Sequence, residues 1–457
     1  MKLFSSHHNI AVVGLNNSGK TTFITSFINH ILNYDPSKLK LGRGDVHIAF
    51  DEELLPPYTG LERFPFEKFR RVGDNGKIKP EKTKTAYQYR CSFYRNDWKK
   101  TKGYLNIIDI PGERINDIPM QEFSYPDWSM WLLEIIFQDP HYSDLAKAYI
   151  EIFKRDVLNE GEIIFAYRQL LLDLFKSYRP IITPSTFLLN HQSSNREELY
   201  HGQRLFKGDI SKSFSGLNEE EQFAPIPVDF QKINPELAKK FAKRYEKYKE
   251  NIAKPIANNL RKCNKLVVLV DVTSILGHNT GVYNGNRALW NKFFKVISPG
   301  KSLIKGIGDG VLTLGGNLWN SGITKIAIIA PKADLVHHDH RGSLKSLIKE
   351  MMESIVSKYV YKAQWLKHEY FACAAVKSTK SIPNGLMELK NKIQGIQEIS
   401  GNTFVETSTL PTKWPEKWVS GDFKFPPFEL SFPENVATPP DHLGMDGVLD
   451  FLLSYKD

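Results

Sequence analysis

The sequence predicts an α/β protein in which a mostly parallel sheet is interrupted by a large α-helical insertion. Three observations predict it. Short, mostly apolar runs at 10–13, 104–108, 265–270, 323–330 and around 371–375 have the character of strands buried in a sheet, and helical patterns separate them. Between residues 111 and 260 such runs vanish and stripes with a 3.6-residue period take over. The first run leads directly into GLNNSGKT, from Gly14 to Thr21, which fits the pattern G-x-x-x-x-G-K-[ST], and a helical stripe of Phe23, Phe27, Ile28, Ile31 and Leu32 follows. Together they predict a P-loop NTPase of the G-domain-like kind, divided as 1–112 for the first part of the nucleotide domain, 113–262 for the helical insertion, 263–400 for its second part and 401–457 for a C-terminal strap and helix.

Each residue type in the first motif has a chemical reason. Gly14 and Gly19 let the backbone turn tightly, so that N–H groups from Asn16, Asn17, Ser18, Gly19, Lys20, Thr21 and Thr22 converge on phosphate at a helix N-terminus, where the dipole favours an anion. Lys20 is expected to reach the β- and γ-phosphates, Thr21 to ligand Mg2+ through its hydroxyl and Thr22 to cap the turn or touch the α-phosphate.

Next in the chain, KPEKTKTAYQYR supplies Thr83, with Thr85 as second choice, as the switch hydroxyl that joins Mg2+ when a triphosphate is bound; residues 87–94 alternate in polarity like an antiparallel edge strand. The run LNIIDIPGER follows. Asp109 ends a strand and can hold Mg2+ through water, and Asp109 to Gly112 fits D-x-x-G, in which the glycine N–H senses a γ-phosphate. Glu113 occupies the position of the water-orienting residue, but its carboxylate repels the γ-phosphate, so slow hydrolysis is expected. A cis arginine to offset charge is sought at Arg70, Arg71 or Arg114.

In the insertion, Ile163, Tyr167, Leu170, Leu171, Leu174 and Tyr178 form one stripe that Pro180 stops. Leu237, Phe241, Tyr245, Tyr248 and Ile252 form another, with Asn234 as N-cap and Pro235 at the first helical position. Beyond it, IAIIAPKADLV places Lys332 and Asp334 in a K-x-D arrangement after a strand. There Asp334 is suited to accept from guanine N1 and N2, with the Lys332 stem along the ring; adenine lacks that donor pair. Pro331 stands where N/T-K-x-D carries a hydrogen-bonding side chain that braces the phosphate loop. YFACAAVKS offers a backbone N–H at Ala374 or Ala375 to guanine O6. The cluster HHDH at 337–340 reads as a polar connection after a strand rather than a zinc site, because adjacent ligands seldom converge. Residues 400–440, rich in Pro and aromatics, read as a packed strap, and GMDGVLDFLLSYK as a final helix.

Lys+Arg 61 against Asp+Glu 51 gives a net charge of +10. That leaves open peripheral contact with an anionic membrane surface. The lysine runs at 79–84, 99–102 and 239–254 carry no interleaved aromatic motif, so nucleic acid is not the expected partner. Cys91, Cys263 and Cys373 show no paired or metal-ligand spacing, as suits a reducing, cytosolic compartment. No leader and no membrane-length apolar run is read.

The segments DIPGERINDIPM, FAKRYEKYKENIAKPI followed by KLVVLVDVTSIL, KADLVHHDHRGSL, ACAAVKST and PPDHLGMDGVLDFLL resemble the YcjX-like family, bacterial P-loop proteins of the DUF463 class linked to stress responses. The resemblance implies a GTP-binding fold with an added helical region. The expectation is a Mg2+-dependent switch that binds GTP and GDP, hydrolyses GTP slowly and answers to a protein effector or activator. A nucleotide-binding scaffold without turnover and an ATP-dependent phosphotransferase are the alternatives.

Overall fold

A computed structural model describes residues 5–41, 53–56, 61–70, 86–94, 102–155, 158–185, 217, 219–297, 322–360, 366–383, 391–398 and 400–453. Thr83, Thr85 and Arg71 lie outside the described residues. The chain forms two units: 1–112, 259–278 and 321–457 make the first, and 113–258 with 279–320 make the second.

The first unit is built on β1 (Ser5–Gly14), β4 (Tyr87–Tyr94), β5 (Lys102–Asp109), β6 (Lys265–Leu269), β7 (Lys325–Ala330) and β8 (Lys367–Ala372). In the order β4-β5-β1-β6-β7-β8, all neighbours run parallel except β4 with β5. Two short strands, β2 (Glu53–Leu54) and β3 (Glu62–Arg63), pair with β4, so β4 is not the edge that its alternation suggests. Every residue of β6 and β7 is buried, which is why they read as continuous apolar runs. This is the α/β, G-domain-like architecture expected of the sequence.

Helix α1 (Lys20–Leu32) is buried from Phe23 to Ile31, polar positions included. Its second face is covered by chain segments far away in sequence: Ser26 Oγ donates to Ala375 O at 2.5 Å and Asn29 Nδ2 to Val436 O at 3.1 Å. A helical stripe cannot reveal such a cover, because it reports apolar burial only. The strap is tied down further by Lys38 Nζ on Pro439 O and by the guanidinium of Arg70, from α2 (Phe66–Arg70), on the carbonyls of Asn435 and Thr438. It includes β11 (Thr403–Thr407), which joins β9 (Thr379–Ser381) and β10 (Lys392–Ile396) in a three-stranded antiparallel sheet. The chain then enters its last described helix, Met445–Leu453, on whose inner face Met445, Val448, Leu449 and Leu452 are fully buried.

The second unit opens with a 3-10 helix, Gly112–Glu122, and continues through α3 (Tyr125–Gln138), α4 (Pro140–Glu151) and α5 (Glu160–Lys176). After α6 (Val228–Ile233), α7 (Pro235–Tyr248) starts at the expected cap, where Asn234 Oδ1 accepts from Leu237 N at 3.2 Å, and runs through a π-turn into α8 (Lys254–Arg261). Tyr125, Trp128, Phe223, Phe241, Tyr245 and Tyr248 meet in one aromatic cluster. Buried tyrosines need partners for their hydroxyls. Here they give them to the carbonyls of irregular segments: Tyr125 to Ala224, Tyr149 to Pro225, Tyr167 to Thr183, and Tyr245 to Met120 and Phe123. The basic run 239–254 is largely consumed within the chain, with Lys240 on Glu160, Lys247 on Glu221, Lys249 on Glu246 and Lys254 on Glu250.

After β6 and α9 (Val272–Gly277), the chain does not stay with the sheet as the expected boundary at 263 requires. Helix α10 (Thr280–Ile297) belongs to the helical unit. Its packing explains the difference. A Cβ on Gly285 would collide with Tyr142 and sit 2.7 Å from Pro180, and one on Gly281 would sit 2.7 Å from His141, so the two glycines let α4 and the chain beyond α5 approach α10 closely. Among the described residues no helix is long and apolar enough to cross a membrane.

Candidate functional site

The site grows from the carboxyl end of β1. That strand lies between β5 and β6, with Val12 opposite Asp109 and Gly14 opposite Leu269. A Cβ on Gly14 would collide with Ser18 Oγ and lie 2.9 Å from the Leu269 carbonyl oxygen, so the turn passes where only glycine fits. Asn17 and Gly19 take left-handed φ values of 64° and 81°, which bend the chain back before Lys20 opens α1. Lys20 Nζ donates to the Gly14 carbonyl at 2.9 Å and reaches Leu15 O at 3.4 Å. Asn16 to Thr22 thus form one turn with its helix start, as the sequence requires.

The D-x-x-G segment meets this turn. Asp109, the last residue of β5, is 1% exposed. Three residues on, a Cβ on Gly112 would stand 2.5 Å from Lys20 Nζ and 2.7 Å from the Gly14 carbonyl oxygen. Gly112 therefore lies against the lysine that a terminal phosphate would face. A side chain there would fill that space. The oxygen donors at this end, the Thr21 hydroxyl and the Asp109 carboxylate, are hard ligands of the kind that suit Mg2+.

Glu113 is buried, at 4% exposed, and its carbonyl accepts from Asn116 Nδ2 at 3.2 Å. The two described candidate arginines both hold protein groups. Arg70 lies 5.1 Å from the Phe432 ring centre and holds the strap. Arg114 points Nη1 at Ser185 Oγ (3.1 Å), Tyr248 OH (3.3 Å) and Asp117 (3.6 Å). A polar residue beside a motif is as readily recruited to brace its own fold as to serve a ligand.

Lys332 and Asp334 stand where β7 ends. Lys332 is left-handed (φ 59°), and its ammonium lies 2.5 Å from Asp271 Oδ2. Asp334 is 2% exposed. Its Oδ2 accepts from Ser378 N at 2.6 Å, from Ser378 Oγ at 2.5 Å and from Thr379 N at 3.2 Å. Three donors on one carboxylate oxygen fix the plane of the group. Asp271, Ser378 and Thr379 are the residues that sequence reasoning missed. The only signal for Ser378 and Thr379 was their place just after ACAAVK, and Asp271 had none beyond ending an apolar strand.

Ala374 differs from expectation. Its N–H is given to Leu443 O at 2.9 Å in a bridge that anchors the strap, so that donor is already taken. The histidine cluster brings ligand atoms of His337, His338 and Asp339 within 4.8 Å of one another. Yet His337 Nε2 hydrogen-bonds Ile382 O at 3.0 Å and Nδ1 accepts from Asp339 N at 3.4 Å, which is how a side chain caps a helical turn.

A profile of the YcjX-like family, DUF463, matches residues 9–456, nearly the whole chain. The chain belongs to the YcjX-like family. Two relatives extend the comparison across both proteins. The Ras-like GTPase YcjX of Shewanella oneidensis is 23% identical over 496 residues, covering 98% of this chain and 94% of its own length. The Ras-like GTPase YcjX of Escherichia coli K12 is 24% identical over 491 residues, covering 98% and 96%. Both matches run over nearly the full length of each protein, and at a coarse level they support a GTP-binding protein.

Proposed function

We propose that this YcjX-like chain binds GTP and GDP with Mg2+, hydrolyses GTP slowly and acts as a nucleotide-controlled switch in a bacterial stress response. The observation that carries the reading is the contact of Gly112 with Lys20 and Gly14, since it brings the D-x-x-G turn to the place of a γ-phosphate. Thr21 and Asp109 would hold Mg2+, which neutralises charge on the phosphates. Lys20 and the turn from Asn16 to Thr22 would bind the β- and γ-phosphates. The orientation of Asp334 supports guanine, because a carboxylate with one oxygen fixed by Ser378 and Thr379 presents the other to a base that carries two donors. Ala375 is the candidate for guanine O6. Slow turnover is expected from a carboxylate residue, Glu113, directly after the glycine of the D-x-x-G turn, and from the engagement of Arg70 and Arg114 with protein groups; a partner protein would supply positive charge. The three cysteines are all buried and free, which supports a reducing cytosolic setting. The stress-response role is supported by the family resemblance alone.

Single-turnover release of phosphate from GTP tests the reading, together with competition of GTP and ATP for a fluorescent guanine nucleotide. Tight GTP binding with slow, Mg2+-dependent release is expected. Binding without release points to a scaffold, and equal competition by ATP to a phosphotransferase.

A further inference from the structure

Pro331 leaves the base pocket without the side-chain hydrogen bond that usually braces a K-x-D turn, and yet Lys332 is held. Its backbone is left-handed, φ 59° and ψ 36°, a conformation that a residue with a Cβ keeps only where its surroundings impose it. Its ammonium lies 2.5 Å from Asp271 Oδ2. The Asp271 side chain is 10% exposed and that of Lys332 36%, so the pair is shielded on the carboxylate side. Asp271 is itself held by hydrogen bonds. Its Oδ1 accepts from Ser274 N at 2.9 Å and Thr273 Oγ1 at 2.7 Å as the N-cap of α9, which leaves Oδ2 for Lys332. The two oxygens divide the work between a cap and a clamp.

We infer that Asp271 is a positioning residue of the base pocket, holding the Lys332 stem along the face of the purine in place of the brace that Pro331 does not provide. The inference rests on the guanine-nucleotide reading of this site. Tethered at the backbone by the turn and at the ammonium by Asp271, the four-carbon stem is ordered before the base arrives, so binding does not have to order it. Asp334 sets the choice of base, and Asp271 sets how firmly any purine of that class is gripped.

The test is Asp271→Asn. Asn caps a helix as well as Asp does, so α9 is kept while the negative charge that faces the Lys332 ammonium is lost. Stopped-flow dissociation of fluorescent GDP and titration calorimetry should show affinity falling about tenfold, mostly through faster release, the scale expected for a rotamer-rich side chain that binding must newly order. The ratio of GTP to ITP affinity and the unfolding temperature should not move. In a Lys332→Met background, where no ammonium remains to clamp, Asp271→Asn should cause no further loss. Wild-type affinity in Asp271→Asn, or the same loss with and without the Lys332 ammonium, overturns the inference while leaving guanine binding intact. A wild-type chain that fails to bind guanine nucleotide overturns the proposed function as well.

Discussion

Lys20 reaches back to the carbonyls of Gly14 and Leu15, and its ammonium is next to the backbone of Gly112. Lys20→Ala removes a charge from a helix whose stability comes from Phe23, Ile24, Phe27 and Ile28, all buried beyond it, so the fold should persist while triphosphate binding is abolished. Calorimetry with GTP measures this, and unchanged affinity would refute the phosphate-loop assignment. Asp334 allows a sharper test. Asp334→Asn puts an amide donor where guanine also donates, which should cost GTP binding about 2–5 kcal/mol and turn preference towards xanthine nucleotide. Binding of GTP and XTP to the variant decides, and undiminished preference for GTP removes Asp334 from the base pocket. These residues were legible in the sequence because each lies in a contiguous motif whose spacing is dictated by backbone geometry. Asp271 and Ser378 were not. They act on Lys332 and Asp334 across 61 and 44 residues of chain, and a pairing of that separation is set by the order of strands in the sheet rather than by any local pattern.

The elements read best were those whose burial is uniform or one-sided. β6 and β7 are buried throughout, and α5 and α7 each have an apolar face closed by a cap. α1 and the strap were legible only in part, because their contact is polar. His30 on α1 is fully buried and its ring lies 4.9 Å from that of His442 on the strap, edge to face. Burial above all, with His442 and Lys38 nearby, pushes His30 down to about 3 from 6.5, against the opposing pull of Asp35; burial also lowers His442, against the pull of Asp446. The unfolded chain therefore takes up a proton at His30 that the folded chain refuses. Stability from this contact is complete above pH 6.5 and declines as pH falls towards 3, by up to about 1.4 kcal/mol per pH unit. Denaturant melts between pH 7 and pH 4 should show a shallower loss of stability in His30→Leu than in the wild type. Parallel slopes would mean that His30 takes up its proton without disturbing the strap.

At the scale of the whole chain, two units share one backbone, and the chain passes from the first to the second at the bond after Gly112. The segment beyond that bond is firmly held inside the helical unit. Asn116 Oδ1 accepts from Ile182 N at 3.3 Å, Asp117 Oδ1 from Ser185 N at 2.9 Å, and Asp117 Oδ2 from Tyr248 OH at 2.7 Å. Burial raises the Asp117 carboxyl above its ordinary value, while Arg114, Ser185 and Tyr248 favour its charged form, so this buried network depends on all of its members. In the proposed switch, a γ-phosphate that draws the Gly112 N–H towards itself would pull on the chain that leads into this network. Switch segments ordered by a γ-phosphate and released on hydrolysis work in this way. Hydrogen exchange is expected to differ between GDP and a non-hydrolysable GTP analogue at 112–130, and the difference should extend into 160–176. Tyr248→Phe, which deletes one hydroxyl from Asp117, should leave the change at Gly112 and diminish the change in α5. The same exchange pattern with either nucleotide would make the nucleotide a structural ligand, and the scaffold reading would replace the switch.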